Sequence, residues 1–254
     1  MPAPQNRLKT ALAEARLQTG LWLNLSSPLV AEMAGQAGFD WCLIDGEHGP
    51  WDPADIRDQL IALAGTGTEA VIRVPCDAPW VLKQVLDLGA QTVLVPMVHS
   101  AAQAGSVVRG LRYPPAGIRG HGAMVARAGG FGRITDYAAT ADAQICCLVQ
   151  AESRAALEDI DAIAATNGVD GVFIGPADLA ADMGHVTNPD HPQVRAAIAN
   201  AIPRILAQGK AAGIICAPAD FAHYIGLGVT FLGLGSDAMI LQAGLSALAK
   251  GPGA

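Results

Sequence analysis

Three ionisable residues, Asp45, Glu47 and His48, fall within four positions in LIDGEHGPWD (43–52), directly after an apolar run. Other groups able to do chemistry stand at comparable places. Arg73 lies inside AVIRVP, Gln150 and Glu152 in LVQAES, Asp178 in GPAD, and Ser236 and Asp237 in GLGSD. A charge inside a buried strand must be paired or must serve a ligand, so Arg73 points to a site. Paired carboxylates suit a hard divalent cation such as Mg2+, which takes one or two of them and keeps its other positions for water and substrate oxygens. Histidine suits proton transfer near neutral pH. Each residue also has a plainer role open to it. His48 could be a structural hydrogen-bonding group, Glu152 could favour a helix N-terminus, and Asp178 could cap the helix ADLAADMG.

The elements that must position these groups alternate along the chain. Strands are expected at 20–25, 40–45, 70–75, 92–97, 145–150, 171–176, 212–217 and 230–235. Most are nearly continuous in apolar residues, as parallel strands covered on both faces are. Ala-rich stretches with helical periodicity lie between them, at 53–64, 79–88, 100–112, 152–166, 191–208 and 237–249. Eight such units in about 250 residues match one (β/α)8 barrel spanning 1–254, a TIM barrel, with a doubly wound open sheet as the competitor. In a barrel the active site sits at the C-terminal ends of the strands, where the residues above fall. His99 and His121 could line the same mouth. His185, His191 and His223 read as surface groups. The segment 112–133, rich in Pro and Gly, reads as a long loop, either functional or disordered.

Composition excludes several classes. A net charge of −7 without a basic stripe argues against nucleic acid as a partner. No apolar run is long enough for a membrane span. MPAPQNRLKTALAEARLQTG reads as an amphipathic helix and not as a signal peptide. Five cysteines without a CxxC pattern read as reduced, mostly buried thiols of a cytoplasmic protein. The four lysines, Lys9, Lys83, Lys210 and Lys250, all miss the C-terminal strand ends, which argues against a Schiff-base mechanism. No HExxH or Cys/His cluster supports zinc.

The segments FDWCLIDGEHGP (39–50), QTVLVPMV (91–98), RYPPAGIRG (112–120), LVQAES (148–153) and GVDGVFIGPADLAADMG (168–184) resemble the HpcH/HpaI aldolases. The likeness runs from about residue 6 to residue 249. It implies a class II pyruvate aldolase, dependent on Mg2+, Mn2+ or Co2+, that reversibly cleaves 4-hydroxy-2-oxo acids to pyruvate, or a close analogue such as hydroxypyruvate, and an aldehyde. Glu152 and Asp178 match the family's metal-binding carboxylates, and His48 its catalytic base. Asp87 matches an acidic residue that raises the basicity of that histidine, within its own subunit or a neighbour's. Arg73 matches the arginine that stabilises the enolate. Gln150, Gly175, Ala177 and Trp22 match substrate contacts. Asp45 reads as support behind His48 or the metal waters, with Glu47 pointing away. The resemblance also implies homohexamers, trimers of dimers that exchange a C-terminal helix, here 237–249. His99 departs from a polar amide found in a close family member.

The resemblance fits the chemistry. Breaking the C3–C4 bond leaves an electron pair on C3, and a Lewis-acidic cation, an arginine and a general base together answer that need. A 2-keto-3-deoxy-sugar-acid aldolase, a CoA-thioester lyase, a phosphosugar enzyme using LGLGS (232–236), and a non-catalytic ligand-binding barrel are the competing readings.

Overall fold

A computed structural model describes residues 1–251. The expected single domain is drawn over 1–254, so its last residues, 252–254, lie outside the described part. Eight parallel strands close into a barrel in sequence order. They are β1 (Gln18–Leu23), β2 (Trp41–Asp45), β3 (Glu69–Arg73), β4 (Thr92–Val95), β5 (Cys146–Ala151), β6 (Gly171–Ile174), β7 (Ala211–Ile215) and β8 (Phe231–Ser236). The helices are α1 (Arg7–Ala13), α2 (Pro28–Gly35), α3 (Pro53–Leu63), α4 (Pro79–Asp87), α5 (Ala101–Leu111), α6 (Tyr137–Gln144), α7 (Arg154–Glu158), α8 (Ile160–Ala165), α9 (Pro176–Asp182), α10 (Pro192–Ala207), α11 (Phe221–Gly226) and α12 (Asp237–Ala249). The expected helix at 152–166 is two short ones, α7 and α8. The helix expected at ADLAADMG is α9, and three others (α2, α6 and α11) are additions to the sequence reading.

Strand parity decides what reaches the mouth. Successive side chains on a strand point to opposite faces. Trp41 and Leu43 on β2, Val71 on β3, Cys146 and Leu148 on β5, Phe173 on β6 and Phe231 on β8 fill the barrel interior. Trp41 stacks on Phe231 at 4.2 Å, and Trp22 meets Trp41 at 5.4 Å and Phe173 at 5.3 Å. Gly20 is required beside this stack, because a Cβ there would run into the Trp41 ring. Leu8 and Leu12 of α1 join the same cluster, each burial contributing about 1.5–3 kcal/mol. Continuing each parity upward places Asn24, Asp45, Arg73, Gln150 and Gly175 on the inner side at the C-terminal rim. The opposite strand faces pack on the helix ring in a second cluster, which includes Cys42, Ile44, Ile72, Val93, Val149 and Ile174.

Segment 112–133 is a packed element. Tyr113 and Ala123 are buried with Ala3, Tyr137 and Ala141 in a third cluster. Arg119 is buried at its centre, with its guanidinium over the Tyr113 ring at 4.4 Å.

Candidate active site

A cavity of about 240 Å³ opens at the C-terminal rim, bordered by Trp22, His48, Arg73, Gln150, Gly175, Ala177 and Asp178. Asn24, Phe173, Ile215, Ser236 and Met239 complete its wall. One side is organised by Asp45, which is paired in register with Arg73 on the neighbouring strand. Arg73 Nε donates to Asp45 Oδ1 at 2.8 Å and Nη2 to Oδ2 at 2.6 Å. Asn24 Nδ2 donates to Oδ2 at 2.6 Å, and the backbone N–H groups of Glu47 and His48 donate to Oδ1 at 3.1 and 3.4 Å. Asp45 therefore fixes both the arginine and the turn that carries His48, whose own side chain stands exposed at the mouth. Burial disfavours the Arg73 charge, but the hydrogen bond and charge of Asp45 and the charges of Glu47 and Glu152 outweigh that and raise its pKa.

Glu47 does not point away, as the sequence suggested. Its Oε2 lies 3.0 Å from Arg73 Nη1, off the hydrogen-bonding direction, so the contact is an ion pair only. Strand parity ends at Gly46, and the turn after it swings Glu47 back over the guanidinium. Burial raises the Glu47 pKa most; Arg73 lowers it, while Asp45 and Asp178 add to the rise.

The other side is anionic. Glu152 Oε1 accepts the Met97 backbone N–H at 2.7 Å, and Oε2 accepts a very short bond from Gln150 Nε2. Burial pushes Glu152 up to about 7, against the lowering effect of those two donors, with Asp178 and Glu47 adding to the rise. Asp178 lies in the first turn of α9, where Gly175 is the N-cap and no side chain caps the helix. The capping role open to Asp178 in the sequence is not the one it plays. A Cβ at Gly175 would strike Glu152 Oε2, so glycine is required there. Ser153, not Glu152, caps α7.

This oxygen set fits a hard divalent cation. Asp178 and Gln150 line the cavity, Glu152 lies behind Gln150 and near enough to Asp178 to feel its charge, and Gln150 Oε1 is a buried acceptor without a partner. A buried acceptor in that state calls for a donor or a cation. Among the described residues no three His, Cys, Asp or Glu side chains gather into a metal cage. Two carboxylates would leave positions open for substrate oxygens.

Asp87 is not part of the cavity wall. Its Oδ1 accepts from Arg119 Nη2 at 2.9 Å, beneath segment 112–133. His99 Nδ1 is 2.8 Å from Ser153 Oγ, behind Glu152, and His121 lies beside Tyr113. Ser236 Oγ caps α12, and the Asp237 carboxylate accepts the N–H groups of Asn24 at 2.8 Å and Leu25 at 3.2 Å. A carboxylate in that place opposes a phosphate site at LGLGS (232–236). Asn24 is a wall residue that the sequence reading missed; its inward parity one step past β1 was the available signal.

The chain is similar over most of its length to known proteins. The family described as HpcH/HpaI aldolase/citrate lyase matches residues 18–243. The chain is 55% identical over 238 residues to a hydroxypyruvate/pyruvate aldolase of Agrobacterium fabrum, covering 93% of this chain and 90% of that one. It is 49% identical over 251 residues to a 4-hydroxy-2-oxo-heptane-1,7-dioate aldolase of Escherichia coli, covering 98% and 96%. A crystal structure of an HpcH/HpaI aldolase/citrate lyase family protein from Burkholderia cenocepacia superposes with a TM-score of 0.93 at 39% identity, over 97% of this chain and 99% of that one.

Proposed function

The chain belongs to the HpcH/HpaI aldolase/citrate lyase family and is an aldolase, a carbon–carbon lyase; from that premise we propose that it reversibly cleaves 4-hydroxy-2-oxo acids to an aldehyde and pyruvate or hydroxypyruvate. The observation that carries this reading is the gathering of His48, Arg73, Gln150 and Asp178 around one small cavity, with the Glu152 carboxylate hydrogen-bonded to Gln150 behind its wall.

Glu152 and Asp178 would hold a divalent cation. When bound, that ion supplies Lewis acidity to the 2-oxo group. The residues do the rest. His48, at the exposed edge of the cavity, takes the proton of the substrate's 4-hydroxyl on a ring nitrogen. As C4 leaves as the aldehyde carbonyl, the C3–C4 electron pair stays with C3 as the enolate, and the proton held on His48 then passes to C3 to give the methyl group of pyruvate. Arg73 presents a fixed positive charge toward the developing oxyanion, pre-oriented by Asp45 so that no reorganisation is needed at the moment of reaction. The first-turn N–H groups of α9, which have no intrahelical acceptors, suit the substrate carboxylate beside Gly175 and Ala177. Trp22 and Phe173 form an apolar floor that excludes water beneath the reacting carbons.

Asp87 is bound to Arg119 and borders no part of this cavity, so we infer that it serves His48 of a neighbouring copy. Assembly of copies is supported by α12, where Met239, Ile240, Leu241, Leu245 and Leu248 are all exposed. No described helix is long and apolar enough to cross a membrane.

The test is exchange of the pyruvate methyl protons into D2O, followed by NMR with Mg2+ and then with chelator. Exchange that requires Mg2+ and vanishes in His48→Ala supports the mechanism. Absence of exchange, together with no cleavage across a panel of 4-hydroxy-2-oxo acids, refutes the pyruvate-type reading.

A further inference from the structure

The turn between β4 and α5 contains a backbone conformation that needs explaining. Met97 has φ 56°, in the left-handed region that costs a residue with a Cβ energy. The residue is 45% exposed, so burial of the thioether does not account for that conformation. What the conformation achieves is polar. It aims the Met97 N–H at Glu152 Oε1, 2.7 Å away, while the next N–H, of Val98, reaches the Gln150 carbonyl at 3.0 Å. Two consecutive backbone donors thus grip the end of β5 and its carboxylate.

One side chain holds the turn from the far side. Gln103 Oε1 accepts the His99 N–H at 2.9 Å. Gln103 Nε2 donates to the Met97 carbonyl at 3.1 Å and to Asp77 Oδ2 at 3.0 Å. The carboxamide therefore bridges both ends of the Met97–His99 turn and ties it to the loop after β3. With Oε1 of Glu152 occupied by Met97 and Oε2 by Gln150, the Glu152 carboxylate is held in one orientation.

We propose that Gln103 is a positioning residue of the cation site, locking Met97 in the left-handed conformation that orients Glu152. The proposal rests on the reading of Glu152 as a cation ligand. Outer partners of metal ligands act by fixing ligand orientation, and losing one typically weakens metal affinity about 10–100-fold.

The experiment measures Mn2+ binding to the purified chain by the loss of the free-ion EPR signal, without substrate. Gln103→Ala is suited to it, since alanine favours the helix that Gln103 occupies. Its Mn2+ dissociation constant should rise about tenfold over the unaltered chain. Met97→Gly in the Gln103→Ala background should recover most of that loss, because glycine adopts positive φ freely. A residue that merely stabilised the fold would not be rescued by removing a side chain elsewhere. Thermal melting of each variant reports folding separately, and Gln103→Leu repeats the comparison with side-chain volume kept. Mn2+ affinity within about twofold in both Gln103 variants, with the unaltered chain binding in a manner abolished by Glu152→Gln and Asp178→Asn, overturns this proposal alone. Mn2+ binding indifferent to Glu152→Gln and Asp178→Asn overturns the cation reading and this proposal with it.

Discussion

Asp45→Asn is the most informative single change at this site, because it alters no volume and removes one charge. The Asp45 side chain is fully buried, and five donors converge on its two oxygens. Whichever way the new amide turns, an NH2 replaces an oxygen that now accepts at least two hydrogen bonds. In place of Oδ2 it meets Arg73 Nη2 and Asn24 Nδ2, donor against donor. In place of Oδ1 it meets Arg73 Nε and two backbone N–H groups. Hydrogen bonds to charged groups contribute about 1.5–3 kcal/mol each, so two lost bonds give roughly 3–6 kcal/mol. Breaking a buried ion pair costs about 3–5 kcal/mol by a separate route to the same interaction, so the figures are not added. Glu47, 3.0 Å from Nη1, still compensates part of the Arg73 charge, which favours the lower end, about 3 kcal/mol. In a chain of this size that lowers Tm by about 10 °C. The freed guanidinium and His48 turn should lose about 100-fold in kcat/KM for cleavage, the effect of misplacing groups by about 1 Å. Thermal melts and a coupled assay of pyruvate release measure both. A Tm within about 2 °C and a kcat/KM within about threefold of the unaltered chain would refute Asp45 as the organising group. A lowered Tm with kcat/KM retained would show that Asp45 is structural and that Arg73 needs no such anchoring to act.

Other perturbations separate the roles further. His48→Ala should abolish methyl-proton exchange while leaving Mn2+ affinity within about twofold, since His48 is no part of the proposed oxygen set; loss of Mn2+ binding would place it among the ligands. Arg73→Lys keeps the charge but not the fork held by Asp45, and should cost more than about tenfold in kcat/KM; an equal rate would reduce Arg73 to a structural group. Inactive His48→Ala and Asp87→Ala chains, denatured and refolded together, should regain roughly a quarter of full activity if Asp87 serves a neighbour, because random pairing restores one site in four; no recovery, with mixed assembly verified, would place Asp87 in its own subunit's chemistry. Burial pushes Cys42 and Cys147 up to about 12 and Cys216 up to about 11. The thiolate is the reactive form, so at about pH 8 an aromatic disulfide should react quickly only with exposed Cys76. Raising the pH toward those values should recruit further thiols; several fast thiols at pH 8 would contradict the burial.

The barrel was legible because apolar runs of strand length alternate with helices, and the strand ends fell within a few residues of expectation. Arg73, Gln150 and Glu152 were legible as site residues because each is polar at the top of an apolar run. Strand parity, carried one residue further, would have added Asn24. Glu47 was misread because parity lapses at Gly46, and a turn can return a side chain to the face it left. The Asp87–Arg119 pair joins residues 32 apart in sequence, and neither neighbourhood names the other. Left-handed Met97 was invisible for a different reason. A non-glycine residue with positive φ has no residue-type signature, and only the partners of its N–H and carbonyl explain it. The short helices α2, α6 and α11 were missed because so few turns give periodicity little to act on.

These hits and misses share a physical origin in how the rim is assembled. Asp237 grips the backbone of Asn24, Asn24 donates to Asp45, and Asp45 holds Arg73, so one hydrogen-bonded chain runs across β8, β1, β2 and β3. Met97, Gln150 and Glu152 form a second chain across β4 and β5. The first presents a cation to the cavity, and the second holds an anion behind Gln150 at its wall. Burying either set costs desolvation that apolar side chains would not incur. Stability alone therefore does not account for Asp45, Arg73, Glu152 and Asp237 all being buried at one end of the barrel. Pre-orientation does, because a fixed charge acts on a developing oxyanion without first having to reorganise. In this reading the side chains that touch substrate are few, and most of the buried polarity at the rim serves to keep them still.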